Sequence, residues 1–217
     1  MMLAAPQAAG AMTFTTETSR QGLRMVMASG PVQAGDAERL RQALLSADRD
    51  PAGNKLLVLD SPGGPIGVAF EMAAVMEEVH VSTEVRSGAS CASSCAMILF
   101  VSGRSRTLQE GGWLGIHTCY DGATKTRSMA CNELIAQNAA RQGVPYGSIV
   151  ALLHLTAPGE MRWLDAHAAQ CWSLVRNAET AQAARPPSDP ASCLPPASPA
   201  TAGPPGQERG RVAAPRN

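Results

Sequence analysis

Apolar positions recur along the chain with two different periods, and the changes between them mark out the elements. Met12-Thr13-Phe14-Thr15-Thr16 and Leu23-Arg24-Met25-Val26-Met27 carry β-type composition, and Ser29-Gly30-Pro31 breaks the second run, so a strand pair is expected there. From Asp36 the spacing of Ala37, Leu40, Leu44 and Ala47 predicts an amphipathic helix with Glu38, Arg39, Arg41 and Gln42 toward water. Residues 55–60, Lys-Leu-Leu-Val-Leu-Asp, show no alternation and predict a strand buried on both faces, as in a parallel sheet. The turn Ser61-Pro62-Gly63-Gly64-Pro65 ends that strand. A second helix over 66–79 follows, with Ala69, Met72, Ala73, Met76 and Val79 inward and Glu71 and Glu78 outward.

Beyond it come a short strand at 82–85, the serine-rich stretch 90–95, the uncharged block 96–101, and two further strands at 104–108 and 113–117. Helices are expected over 126–141, 147–155 and 164–171. The pattern stops near residue 178. More than half of the sixteen prolines lie between 185 and 217, among Ala, Ser and Gly and almost no large apolar residue. Such a segment buries too little surface to offset its chain entropy, so 179–217 is expected to be a disordered tail. Residues 1–11 are Ala-rich and read either as the small-residue end of an export signal or as a leader. One domain, 12–178, remains between them.

Charge removes some function classes. Eighteen basic residues balance eighteen acidic ones, leaving no surplus to neutralise phosphates, so nucleic acid is not an expected partner. The longest apolar runs fall far short of the ~20 residues that cross a bilayer. Six cysteines are even in number: an oxidising compartment would pair them, and the alternative is that they are small buried hydrophobes. Cys91 and Cys95 would touch if both were helical, and Cys119 and Cys131 bracket a polar loop that a bridge would close. No second close Cys or His pair completes a ligand set around His117-Thr118-Cys119, so neither a metal nor another cofactor is expected.

Candidate chemistry gathers at three places. Ser90-Cys91-Ala92-Ser93-Ser94-Cys95 runs straight into an apolar block. A serine there is either the cap of a buried helix or a nucleophile at its start, since the same orphan N–H groups serve both uses. Gly63-Gly64, after a buried strand, is either a plain tight turn or a place where backbone N–H groups approach a substrate carbonyl. His117 ends an apolar strand, as a structural histidine or as a base.

In this order, Leu59-Asp60-Ser61-Pro62-Gly63-Gly64, residues 88–96 and Leu114-Gly115-Ile116-His117 resemble the Clp-protease/crotonase superfamily. The likeness is closer to its exported, periplasmic Clp-like bacterial members and spans roughly residues 56–175. It implies an α/β fold, a spiral of ββα units around a mixed, mainly parallel sheet. It also implies a peptide or acyl substrate, Ser93 as nucleophile with Ser94 as the alternative one register away, His117 as general base, and the N–H groups of Gly64 and Ser94 as an oxyanion hole. Homo-oligomers are usual in that superfamily. The acid that orients the histidine in its proteolytic members falls here on Met161, which leaves a Ser-His dyad.

Two other readings stand beside this hydrolase. One is a catalytically inactive Clp-like fold serving as a binding or assembly module, motivated by Met161 and by a Cys91–Cys95 bridge. The other takes residues 88–92 as a nucleophile elbow backed by Asp165 and His167, against which Ala92 stands where glycine is wanted.

Overall fold

The protein is described by a computed structural model covering residues 10–121, 123–177, 193–199 and 203–205. It is α/β, with two sheets. The first has the order β1-β2-β3-β4-β6, made of β1 (Thr13–Thr18), β2 (Arg24–Ser29), β3 (Lys55–Asp60), β4 (Val81–Val85) and β6 (Arg106–Leu108). Only the β1–β2 pair is antiparallel in it. In the second, β5 (Ser90–Ala92) runs parallel to β7 (Trp113–Ile116), and β8 (Glu160–Leu164) and β9 (Ala197–Pro199) follow antiparallel.

The expected strand pair, the buried strand and the crossover helix all form. β3 lies between parallel neighbours with Leu57, Val58 and Leu59 buried, which is why its sequence lacks alternation. α1 (Asp36–Leu45) buries Leu40 and Leu44 and packs on α2 (Ile66–Val79), whose inner face is Ala69, Met72, Ala73 and Met76. The uncharged block becomes a six-residue π-type helix, Cys95–Phe100, buried throughout and packed against α2 and α3 (Met129–Arg141). α4 (Tyr146–His154) completes a helical pair with α3.

The expected helix over 164–171 is corrected. Its first residue closes β8, and Asp165, accepting from Ala168 N–H at 2.8 Å, caps the shorter α5 (Ala166–Cys171). Within the tail, residues 193–199 are tied to the domain by the Cys171–Cys193 disulfide and by pairing with β8. The rest of the expected tail, apart from 203–205, lies outside the described residues, as do residues 1–9 of the leader.

Arg106 is a cation at the centre of this architecture, 1% exposed. It donates to the carbonyls of Leu174, Val101, Gly103 and Gln142, which gathers the ends of the π-type helix, α3 and the last part of the domain. Burial lowers its pKa to about 10, still charged at neutral pH, and carbonyl dipoles take the place of a counter-ion. The π-type helix is thereby gripped at its C-terminal end, and its N-terminal end bears on the site.

Candidate active site

The site is built where β3 and β5 end side by side. Ser61 N–H donates to Ser90 O at 2.8 Å and Ala92 N–H to Ser61 O at 2.9 Å, while Asp60 Oδ1 accepts from Ser90 N–H at 3.0 Å. The glycine turn after β3 is thus pressed against the serine turn after β5. A Cβ on Gly63 would stand 2.5 Å from Ala92 O and 2.9 Å from Ser94 N, and one on Gly64 would collide with Val32 O. Gly63 also has φ +85°, a left-handed conformation that a side chain disfavours. Close approach is the reason for the two glycines.

Ser93 itself is left-handed, φ +57°, which is uncommon for a residue with a side chain and is held by its surroundings. Its N–H donates to Gly115 O at 2.8 Å, its carbonyl accepts from Met97 N–H at 2.9 Å, and the Cys91–Cys95 disulfide closes the turn around it. The two cysteines meet from a strand and a π-type helix, not from one helix. The turn leaves Ser93 partly exposed, with Oγ 2.7 Å from His117 Nε2.

Ser94 faces the other way. It is fully buried, its Oγ accepts from Gly64 N–H at 2.9 Å and donates to Gly64 O at 3.0 Å. The structure therefore separates the two serines: Ser93 meets the imidazole, and Ser94 is bonded to the glycine turn. The N–H of Gly64 donates to the Ser94 hydroxyl here. The N–H of Ser94, in the first turn of the helical segment, has no acceptor among the described residues.

His117 lies immediately past β7. Among the described residues no carboxylate reaches its second nitrogen: Nδ1 donates to the carbonyl of Thr118 at 2.7 Å, which leaves the Nε2 lone pair for the Ser93 hydroxyl. Burial lowers the imidazole pKa below its ordinary 6.5, and the Thr118 hydrogen bond partly offsets this, so the ring is neutral at pH 7. The Tyr120 ring stands edge-on at 5.8 Å. Sequence reasoning had no signal for the Thr118 contact, because any residue at that position supplies a carbonyl.

Ser93 and His117 open onto a cavity of ≈ 660 Å³, lined also by Gly64, Ile66, Met97 and Arg127. A disulfide between Cys119 and Cys131 forms part of its wall. Among the described residues no group of three His, Cys, Asp or Glu side chains is placed to hold a metal ion, and no helix is long and apolar enough to cross a membrane.

The nucleophile-elbow reading is corrected. Ser90 is buried inside β5, between Asp60 and the neighbouring strands, not at a strand-to-helix elbow. Asp165 serves as the cap of α5, and with His167 it borders a separate cavity of ≈ 370 Å³ beside Trp113 and Trp163.

Neither family models nor curated proteins give a match to this sequence. Among solved structures the chain is similar to the ClpP protease catalytic domain from Plasmodium falciparum, at 14% identity and a TM-score of 0.52. The alignment covers 69% of this chain and 80% of that one. The protein has a Clp-protease-like α/β fold.

Proposed function

We propose that the protein is a serine hydrolase of peptidase type, with Ser93 as nucleophile and His117 as general base. The observation that carries this reading is the 2.7 Å contact of Ser93 Oγ with His117 Nε2, on a ring whose Nδ1 proton is already committed to Thr118 O. In the reaction Ser93 Oγ forms a bond to the acyl carbon as its proton passes to Nε2. The resulting oxyanion collapses, the leaving group departs with the Nε2 proton, and an acyl-enzyme remains. Water then repeats the sequence, giving its proton to Nε2 and releasing the acid and Ser93.

The oxyanion falls to the N–H groups of Ser94 and Gly64. Ser94 N–H has no acceptor among the described residues, whereas Gly64 N–H joins only by giving up the Ser94 hydroxyl. Peptide or other acyl bonds are the substrate class. Three disulfides with no free cysteine support an exported, oxidising setting such as the periplasm. Self-assembly through the α3–α4 face, where Leu134 and Tyr146 are exposed, accords with the superfamily resemblance. Covalent labelling by a fluorophosphonate, abolished in Ser93→Ala, tests the reading.

A specific observation favours a second reading, an inactive fold that binds or assembles. The superfamily resemblance assigns the orienting acid's position to Met161, which packs with Ala92 and Trp163 in a small apolar cluster. Absence of labelling in a folded, cavity-bearing protein would select it.

A further inference from the structure

We propose that Asn132 is a positioning residue for His117, acting through the single peptide group that joins Thr118 to Cys119. The proposal rests on the reading of His117 as the base and adds the residue that fixes its orientation. The carbonyl of this peptide accepts from His117 Nδ1 at 2.7 Å, and its N–H donates to Asn132 Oδ1 at 2.8 Å. Both ends of one peptide plane are thus engaged, the imidazole on one side and a side-chain amide on the other.

Two physical effects follow. The plane cannot rotate without breaking the bond to Asn132, so the carbonyl keeps facing Nδ1. Donation from the N–H also shifts electron density toward the carbonyl oxygen, which makes it a better acceptor for the Nδ1 proton. Together they do part of what a carboxylate does for a catalytic histidine: they hold one tautomer and one ring orientation.

Asn132 is itself fixed. It is 5% exposed, on the first turns of α3, and its Nδ2 donates to Thr118 Oγ1 at 2.9 Å, which sets which end of the amide faces the Cys119 N–H. The neighbouring Cys131 is bonded to Cys119, and Ser128 N–H donates to Cys119 O at 2.9 Å. The chain leaving β7 is pinned to the start of α3. The charged groups on the cavity wall, Asp121 and Arg127, lie outside this relay.

A purely structural Asn132 would anchor α3 and leave the imidazole unchanged, so the test reads the imidazole. In the full chain, ¹⁵N NMR of His117 reports its tautomer, and a fluorophosphonate separates the rate of inactivation from reversible binding. Asn132→Leu is expected to give mixed tautomers and an inactivation rate lower by about 10-fold or more with binding unchanged, the scale on which outer partners of a functional imidazole act. Asn132→Asp keeps an acceptor for the Cys119 N–H, so it is expected to retain the Nδ1–H tautomer, keep most of the rate and raise the His117 pKa. A folded Asn132→Leu with the wild-type tautomer and rate overturns the proposal, as does an Asn132→Asp no better than Asn132→Leu. If Asn132→Leu does not fold, Asn132→Asp decides alone: a raised His117 pKa supports the relay and an unmoved one contradicts it. The tautomer is read even in a protein that does not react, so an unlabelled wild type removes the hydrolase reading and leaves this one to be judged separately.

Discussion

Met161 lies against Gly115: a Cβ on Gly115 would stand 3.0 Å from the Met161 sulfur, on the strand that ends just before His117. The β7–β8 register pairs Gly115 with Trp163 and Ile116 with Arg162. Met161→Asp tests whether a carboxylate introduced on β8 serves the ring. The expected result is a His117 pKa above that of wild type and faster fluorophosphonate labelling, because an opposite charge stabilises the imidazolium formed as Ser93 attacks. The substitution also places a charge beside Ala92 and Trp163, so thermal unfolding should show a loss of about 1–3 kcal/mol. Labelling no faster than wild type, with the His117 pKa raised, would mean that the missing acid does not limit the site.

The rate should depend on pH through one group. In the proposed role His117 accepts a proton only when neutral, and burial lowers its pKa below 6.5. Labelling is accordingly expected to rise with pH along a limb centred below 6.5 and to level off above it. A limb centred above 6.5 would show that the imidazolium is stabilised in the free protein, contrary to the environment described here.

Gly63→Ala tests the contact between the two turns. The substitution opposes the φ of +85° and drives a methyl against Ala92 O, so the serine turn must shift or the chain must unfold. A loss of about 1–3 kcal/mol in denaturant unfolding, the order of one strained residue, is expected with a larger relative loss of labelling. Stability lost with the labelling rate intact would show that the position of Ser93 does not depend on this contact.

How much of this was legible in the sequence depends on what each feature leaves in it. Helix α2 was readable to its boundaries, because a buried strand, a Gly-Gly turn and a 3.6-residue apolar period each leave a pattern. β8 was hidden although Met161 and Trp163 alternate with Glu160 and Arg162, since the helical spacing from Leu164 onward absorbed its end. β9 is proline-bearing and held by pairing and a disulfide, neither of which its own composition announces. The pairing of Ser93 with His117 is what the superfamily resemblance implied, but the partner of Nδ1 is a backbone carbonyl and leaves no trace. Asn132 is one polar residue on the inner side of α3, unmarked until the loop from β7 is seen against it.

The most direct measurement is mass-spectrometric localisation of a fluorophosphonate adduct on the intact, oxidised chain, with Ser93→Ala, Ser94→Ala and His117→Ala alongside. An adduct on Ser93 is expected, lost in Ser93→Ala, strongly slowed in His117→Ala and retained in Ser94→Ala, whose hydroxyl is buried against Gly64. No adduct on Ser93 in the folded protein, or one that forms as fast without the imidazole, would contradict the hydrolase.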